Sequence, residues 1–71
     1  MDKLPEEVIE KIIAKYKDKK GFRELPVRNF LGTVHHCGNV ANARANLKMD
    51  SIMYKWKPSI VSAIAEGINH Y

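Results

Sequence analysis

Seventy-one residues, 45% hydrophobic and 28% charged and without low-complexity runs, make one small folded domain and argue against disorder. The formal charge of +4 favours an anionic partner, while a lone Cys37 excludes a disulfide framework and suits a reducing, cytoplasmic compartment. A chain this short rarely supplies both a cleft and several fixed groups, so the composition points to a binding module and away from an enzyme, a cofactor or a small-molecule substrate.

No apolar stretch approaches a membrane span, and Met1-Asp2-Lys3 followed by Leu-Pro-Glu-Glu does not read as a signal peptide, so no membrane partner is expected. Up to Glu24 the bases and acids nearly balance. Beyond it stand Arg28, Arg44, Lys48, Lys55 and Lys57 against only Asp50 and Glu66, a sparsely charged but basic block.

The first predicted helix runs from about residue 5 to 19. Pro5 suits a first helical position, Glu6, Glu7 and Glu10 favour the positive end of the helix dipole, and Lys15, Lys17, Lys19 and Lys20 the negative end. Val8, Ile9, Ile12, Ile13 and Tyr16 keep the 3.6-residue period, and Gly21 supplies the stop. After a connector, Pro26 opens a second helix with Val27, Phe30, Leu31 and Val34 inward. Gly32 weakens that helix, which suggests close approach by a neighbour, and Gly38 ends it. Asn39 caps a third helix carrying Val40, Ala43 and Leu47. Lys48-Met49 reads as a tight turn, and Asp50 or Ser51 then caps a fourth helix with Ile52, Met53, Tyr54 and Trp56. Pro58 breaks the chain into a last helix with Ile60, Val61, Ile64 and Ile68 on one side. Period-2 alternation never persists. The fold class is all-α, a single domain of four to five short helices.

His35, His36 and Cys37 invite a metal reading, with His70 as the remaining soft ligand. Consecutive helical residues point about 100° apart, so the two histidines do not converge on one ion, and no metal site is expected. A Cys–His nucleophile lacks an orienting third group. Met49, Met53, Tyr54 and Trp56 form an aromatic and sulfur-rich strip whose helical spacing reads first as core.

The polar residues of segment 38–57 are the most informative. Asn42, Arg44, Asn46, Lys48, Ser51, Lys55 and Lys57 can donate to phosphates, and Asp50 is the only acid among them. A short capped helix, a turn and a basic second helix are what docking in a major groove requires. This segment resembles the helix-turn-helix of factor-for-inversion-stimulation proteins and of lambdoid-phage Cro repressors. Gly38-Asn39 with Ala43 and Leu47 is similar to the first motif helix of the former. Leu47-Lys48-Met49, then Met53-Tyr54-Lys55-Trp56-Lys57, is similar to the turn and recognition helix of the latter, with Lys48 where a glycine is usual. The resemblance implies a DNA-binding transcriptional regulator of phage or mobile-element type, binding double-stranded DNA through Asn42, Arg44, Lys48, Ser51, Tyr54, Lys55 and Lys57. One module this small would need a homodimer or a helper protein. Leu4 to Ile13 also resembles the opening of F-box motifs, although the same residues make a good helix start on their own. The alternative function is a helical protein-interaction module docking through the first helix or through Met53, Tyr54, Trp56 and Ile60.

Overall fold

Pro5 precedes the first helix, α1 (Glu6–Tyr16), and its carbonyl accepts from the amides of Val8 at 3.0 Å and Ile9 at 3.2 Å. The computed structural model describes residues 2–70, and of His70 only the backbone. Ile9, Ile13 and Tyr16 are buried, while Val8 and Ile12 are half-buried. The helix is shorter than its charge pattern suggests. Lys17 to Lys20 form turns, with the Lys19 amide bonded to the Tyr16 carbonyl at 2.9 Å.

Helix α2 (Glu24–Thr33) begins two residues before the expected Pro26 and places that proline in its first turn, where its missing N–H costs no hydrogen bond. Val27, Phe30 and Leu31 face the core. Val34 is buried as expected but belongs to a 3-10 turn, Val34–Cys37, that closes at Gly38 with φ +88°. The expectation for Gly32 is overturned: a side-chain carbon there would meet nothing within 4 Å. Gly67 is the glycine at a close helix approach, since a Cβ would lie 3.0 Å from Ile12 Cδ1.

The expected third and fourth helices are one helix, α3 (Val40–Met53). Asn39 caps it as read, its Oδ1 accepting the Asn42 amide at 2.8 Å. Lys48 and Met49 form no turn. Both are good helix formers, neither glycine nor proline interrupts them, and Ser51 Oγ returns to the Lys48 carbonyl at 2.7 Å instead of capping a new helix.

The stop comes at Tyr54–Lys55. The Trp56 amide reaches the Ser51 carbonyl at 3.0 Å and the Lys55 amide the Ile52 carbonyl at 3.4 Å. This is a Schellman closure in which Lys55, at φ +56°, takes the left-handed place usually given to glycine. Pro58 then opens α4 (Pro58–His70), and the Lys57 carbonyl accepts from Ile60 at 3.0 Å and Val61 at 3.1 Å.

Helix α4 runs back antiparallel to α3 and beside α1. Tyr16 Oη donates to the Ser59 carbonyl at 3.2 Å at one end, and Arg44 Nη2 to Asn69 Oδ1 at 2.6 Å at the other. Ile60, Ile64 and Ile68 form a buried spine on α4, which packs against α1 and α3. Trp56 closes the core, 8% exposed, with its ring edge-on to Phe30 at 6.2 Å between centroids. Outside the core, Arg28 gathers Glu6, Glu10 and Glu24 at 3.2, 2.6 and 3.5 Å. That exposed cluster contributes orientation more than stability.

Two substitutions test this account. Trp56→Ala removes a buried aromatic and is expected to cost roughly 3–5 kcal/mol in urea unfolding. Lys55→Gly relieves the left-handed backbone and is expected to raise stability by about 1 kcal/mol, the opposite of an ordinary glycine insertion into a helix.

Candidate interaction face

Once residues 40–53 are one helix, the direction of every side chain on it follows from ~100° per residue. Val40, Ala43 and Leu47 point toward α4 and the 3-10 turn, with Ala43 and Leu47 buried. On the opposite side, sharing an arc of about 120° with Asn42, stand Ala41, Ala45, Met49, Ile52 and Met53. All five are exposed, Met49 at 66%, Ile52 at 69% and Met53 at 63%. Helix α3 is therefore apolar on two opposite faces, and only one of them has a partner inside the domain. Tyr54, at the turn, leaves the outer face and stacks on Trp56 with centroids 5.7 Å apart and planes 19° from parallel.

The strip of Met49, Met53, Tyr54 and Trp56 thus divides. Trp56 is core, while the two methionines are surface, against the expectation of core for all four. The apolar docking strip read from the sequence divides the same way. Met53 and Tyr54 are exposed, whereas Trp56 and Ile60 are buried and unable to meet a partner. Ile52 and Met49 replace them.

The seven residues assigned to DNA contact do not lie on one recognition helix. Asn42, Arg44, Lys48 and Ser51 sit on α3, Tyr54, Lys55 and Lys57 in the turn after it. Three of them are engaged within the domain: Asn42 Nδ2 donates to the Cys37 carbonyl at 3.1 Å, Arg44 to Asn69, and Ser51 to the Lys48 carbonyl. Lys48, Lys55 and Lys57 are exposed, and the ion pairs among the described residues all belong to Arg28. The segment 38–57 holds one helix and its closing turn, so a helix-turn-helix with its turn at Lys48–Met49 is not what the backbone forms.

Charge is distributed by ends. The Tyr16–Ser59 hydrogen bond sets the end of α1 against the start of α4, so Lys17, Lys19 and Lys20, with Asp18 among them, share a pole with Lys55 and Lys57. The opposite pole carries Asp2, Glu6, Glu7 and Glu10 around the start of α1, with Lys3 and the Arg28 guanidinium among them. Arg28, hydrogen-bonded to Glu10, holds that carboxyl below its ordinary pKa. A groove of about 540 Å³ also lies between α1 and α4, lined by Val8, Ile12, Ala63 and Gly67 and edged by Lys11, Lys15 and Glu66. Its charged edges distinguish it from the uncharged stripe on α3.

The His35 and His36 rings stack at 4.1 Å in the 3-10 turn, and Asn46 Nδ2 donates to Cys37 Sγ at 3.0 Å. Among the described residues no three of His, Cys, Asp or Glu converge as metal ligands, and the side chain of His70 lies outside them. No described helix is long and apolar enough to cross a membrane. No family model, no curated protein and no solved structure matches the chain.

His35 Nδ1 is buried without a hydrogen-bond partner. Desolvation, and then the charges of His36 and Lys3, hold its pKa below that of free imidazole. The folded state therefore takes up the proton less readily than the unfolded chain. The stabilisation linked to this ring is present above the unfolded pKa of about 6.5 and lost as pH falls below it. Melting temperatures are expected to drop between about pH 7 and pH 5, and His35→Phe is expected to flatten that part of the curve.

Proposed function

We propose that this chain is a helical protein-interaction module that works through the outer face of α3. The observation that carries the reading is the uncharged stripe of Ala41, Ala45, Met49, Ile52 and Met53 on a helix whose opposite face is already packed. Scattered exposed apolar residues are ordinary on any surface, whereas a contiguous stripe of large ones marks a contact. Methionine suits such a face, because its unbranched thioether adapts to the shape it meets. The basic pole beside the stripe favours a partner whose neighbouring surface is acidic.

DNA binding is the second reading, and one observation favours it: Lys48 is exposed in the second half of α3, and Lys55 and Lys57 are exposed just beyond its end, at the pole of Lys17, Lys19 and Lys20. Under this reading the contact is to phosphates, and the large apolar residues between the lysines have no role in it.

Ile52→Lys separates the two. It breaks the stripe with a cation that suits a helix C-terminus, so the melting curve is expected to stay within about 0.5 kcal/mol of wild type. Under the interaction reading, capture of a partner survives high salt and is lost in Ile52→Lys. Titration of a short labelled duplex then shows no steep loss between about 50 and 200 mM salt. Duplex binding that falls steeply over that range, weakens in Lys55→Ala and is kept in Ile52→Lys establishes the DNA reading instead.

A further inference from the structure

We infer that the occupant of the α3 outer face is a second copy of this chain, with the two α3 helices crossing antiparallel about a two-fold axis. The inference rests on the reading of that face as an interaction surface and names its partner.

The first argument is steric. Along the 14 residues of α3 the small side chains, Ala41 and Ala45, occupy the first half of the stripe, and the large ones, Met49, Ile52 and Met53, the second. Antiparallel approach centred near residue 47 sets each copy's methionines over the other's alanines. Met49 comes opposite the second copy's position 45, Met53 opposite its position 41, and Ile52 opposite Asn42 between them. Large knobs then enter spaces left by small residues, which is how two helices reach close packing. A parallel pair would set large against large at one end and leave a void between alanines at the other, and voids forfeit contact energy.

The second argument is charge complementarity. The start of α3 lies toward the pole that carries Asp2, Glu6, Glu7 and Glu10, with Lys3, Arg28 and Arg44 among them, because Arg44 bonds Asn69 at the end of α4 and Gly67, near that end, packs on Ile12 of α1. The end of α3 lies at the pole of Lys17, Lys19, Lys20, Lys55 and Lys57. Antiparallel crossing puts the acidic pole of each copy beside the basic pole of the other, whereas parallel crossing would put like beside like. The two-fold arrangement is also closed. Each stripe is covered once and no unpaired face remains to extend a fibre.

Sedimentation equilibrium on the full chain, from about 1 µM to 1 mM, reads the association directly. The expected result is a monomer–dimer equilibrium for the wild type and at least a tenfold weaker one for Ile52→Lys, with unchanged helical circular dichroism. Orientation is read by oxidation in a Cys37→Ser background. Ala41→Cys mixed with Met53→Cys is expected to give the cross-linked heterodimer, while either variant alone stays uncross-linked. Cross-linking of each alone, without the mixed product, would overturn the antiparallel geometry. A wild type that stays monomeric throughout overturns the second copy as occupant. If Ile52→Lys then still loses a foreign partner, the interaction surface stands without the dimer. If it loses nothing, both readings fall together.

Discussion

The left-handed turn at Lys55 decides what this molecule presents to its surroundings. By holding one non-glycine residue at φ +56°, the chain closes α3 after Met53, swings Trp56 onto Phe30 and lets Pro58 begin α4 at once. Two backbone hydrogen bonds, from Trp56 to Ser51 and from Lys55 to Ile52, offset the cost of that conformation, and the burial of Trp56 adds to them. Had the helix ended at Lys48, Met49 and Ile52 would belong to different elements and no stripe would exist. Every argument about the outer face of α3 depends on where this one turn falls.

The all-α class was legible because apolar spacing survives small errors in helix boundaries. Ile9, Ile13 and Tyr16, Val27, Phe30 and Leu31, and Ile60, Ile64 and Ile68 are all buried as their periods demand. Asn39 was legible as a cap because its side chain acts on the next few residues alone. The turn was not, and the reason is physical. A Schellman closure is recognised in sequence by its glycine, and here the position is a lysine held by the tertiary seat of the tryptophan that follows. Lacking that signal, the helix-turn-helix resemblance placed a break at Lys48–Met49, where nothing in the residues stops a helix. One signal was available: read without interruption, residues 40–53 have apolar positions on two opposite faces, and a helix needs cover on both.

That two-sided pattern meets the general difficulty of a chain this size. A domain of some 70 residues buries roughly 60% of its unfolded surface, so its core contributes little excess over conformational entropy. Placing Met49, Ile52 and Met53 outside withholds three large side chains from that core. The withheld area becomes stabilising only when a partner covers it, and binding to the native state alone adds stability in proportion to the logarithm of partner concentration. Under the interaction reading, folding strength and partner occupancy are therefore coupled through the same three residues.

The same geometry sets the two functional readings against each other. Phosphate binding needs an open positive field at the pole of Lys17, Lys19, Lys20, Lys55 and Lys57, where Asp18 is the acid in the same stretch as the first three. An antiparallel pair through α3 would bring the acidic start of a second α1 toward that pole, where charges act over roughly 8 Å at physiological salt. Association of two copies would lower the potential there and weaken any duplex contact, and a duplex held by the lysines would oppose association. Carboxylates that steady one copy's neighbour compete directly with phosphates for the same ammonium groups. Binding of this kind is reciprocal, so whichever partner occupies the lysine pole lowers affinity for the other by the same factor. If both readings hold, a small domain with one two-faced helix and two oppositely charged ends would choose between partners, and ionic strength, which screens the poles but not the methionines, would shift that choice toward the apolar face.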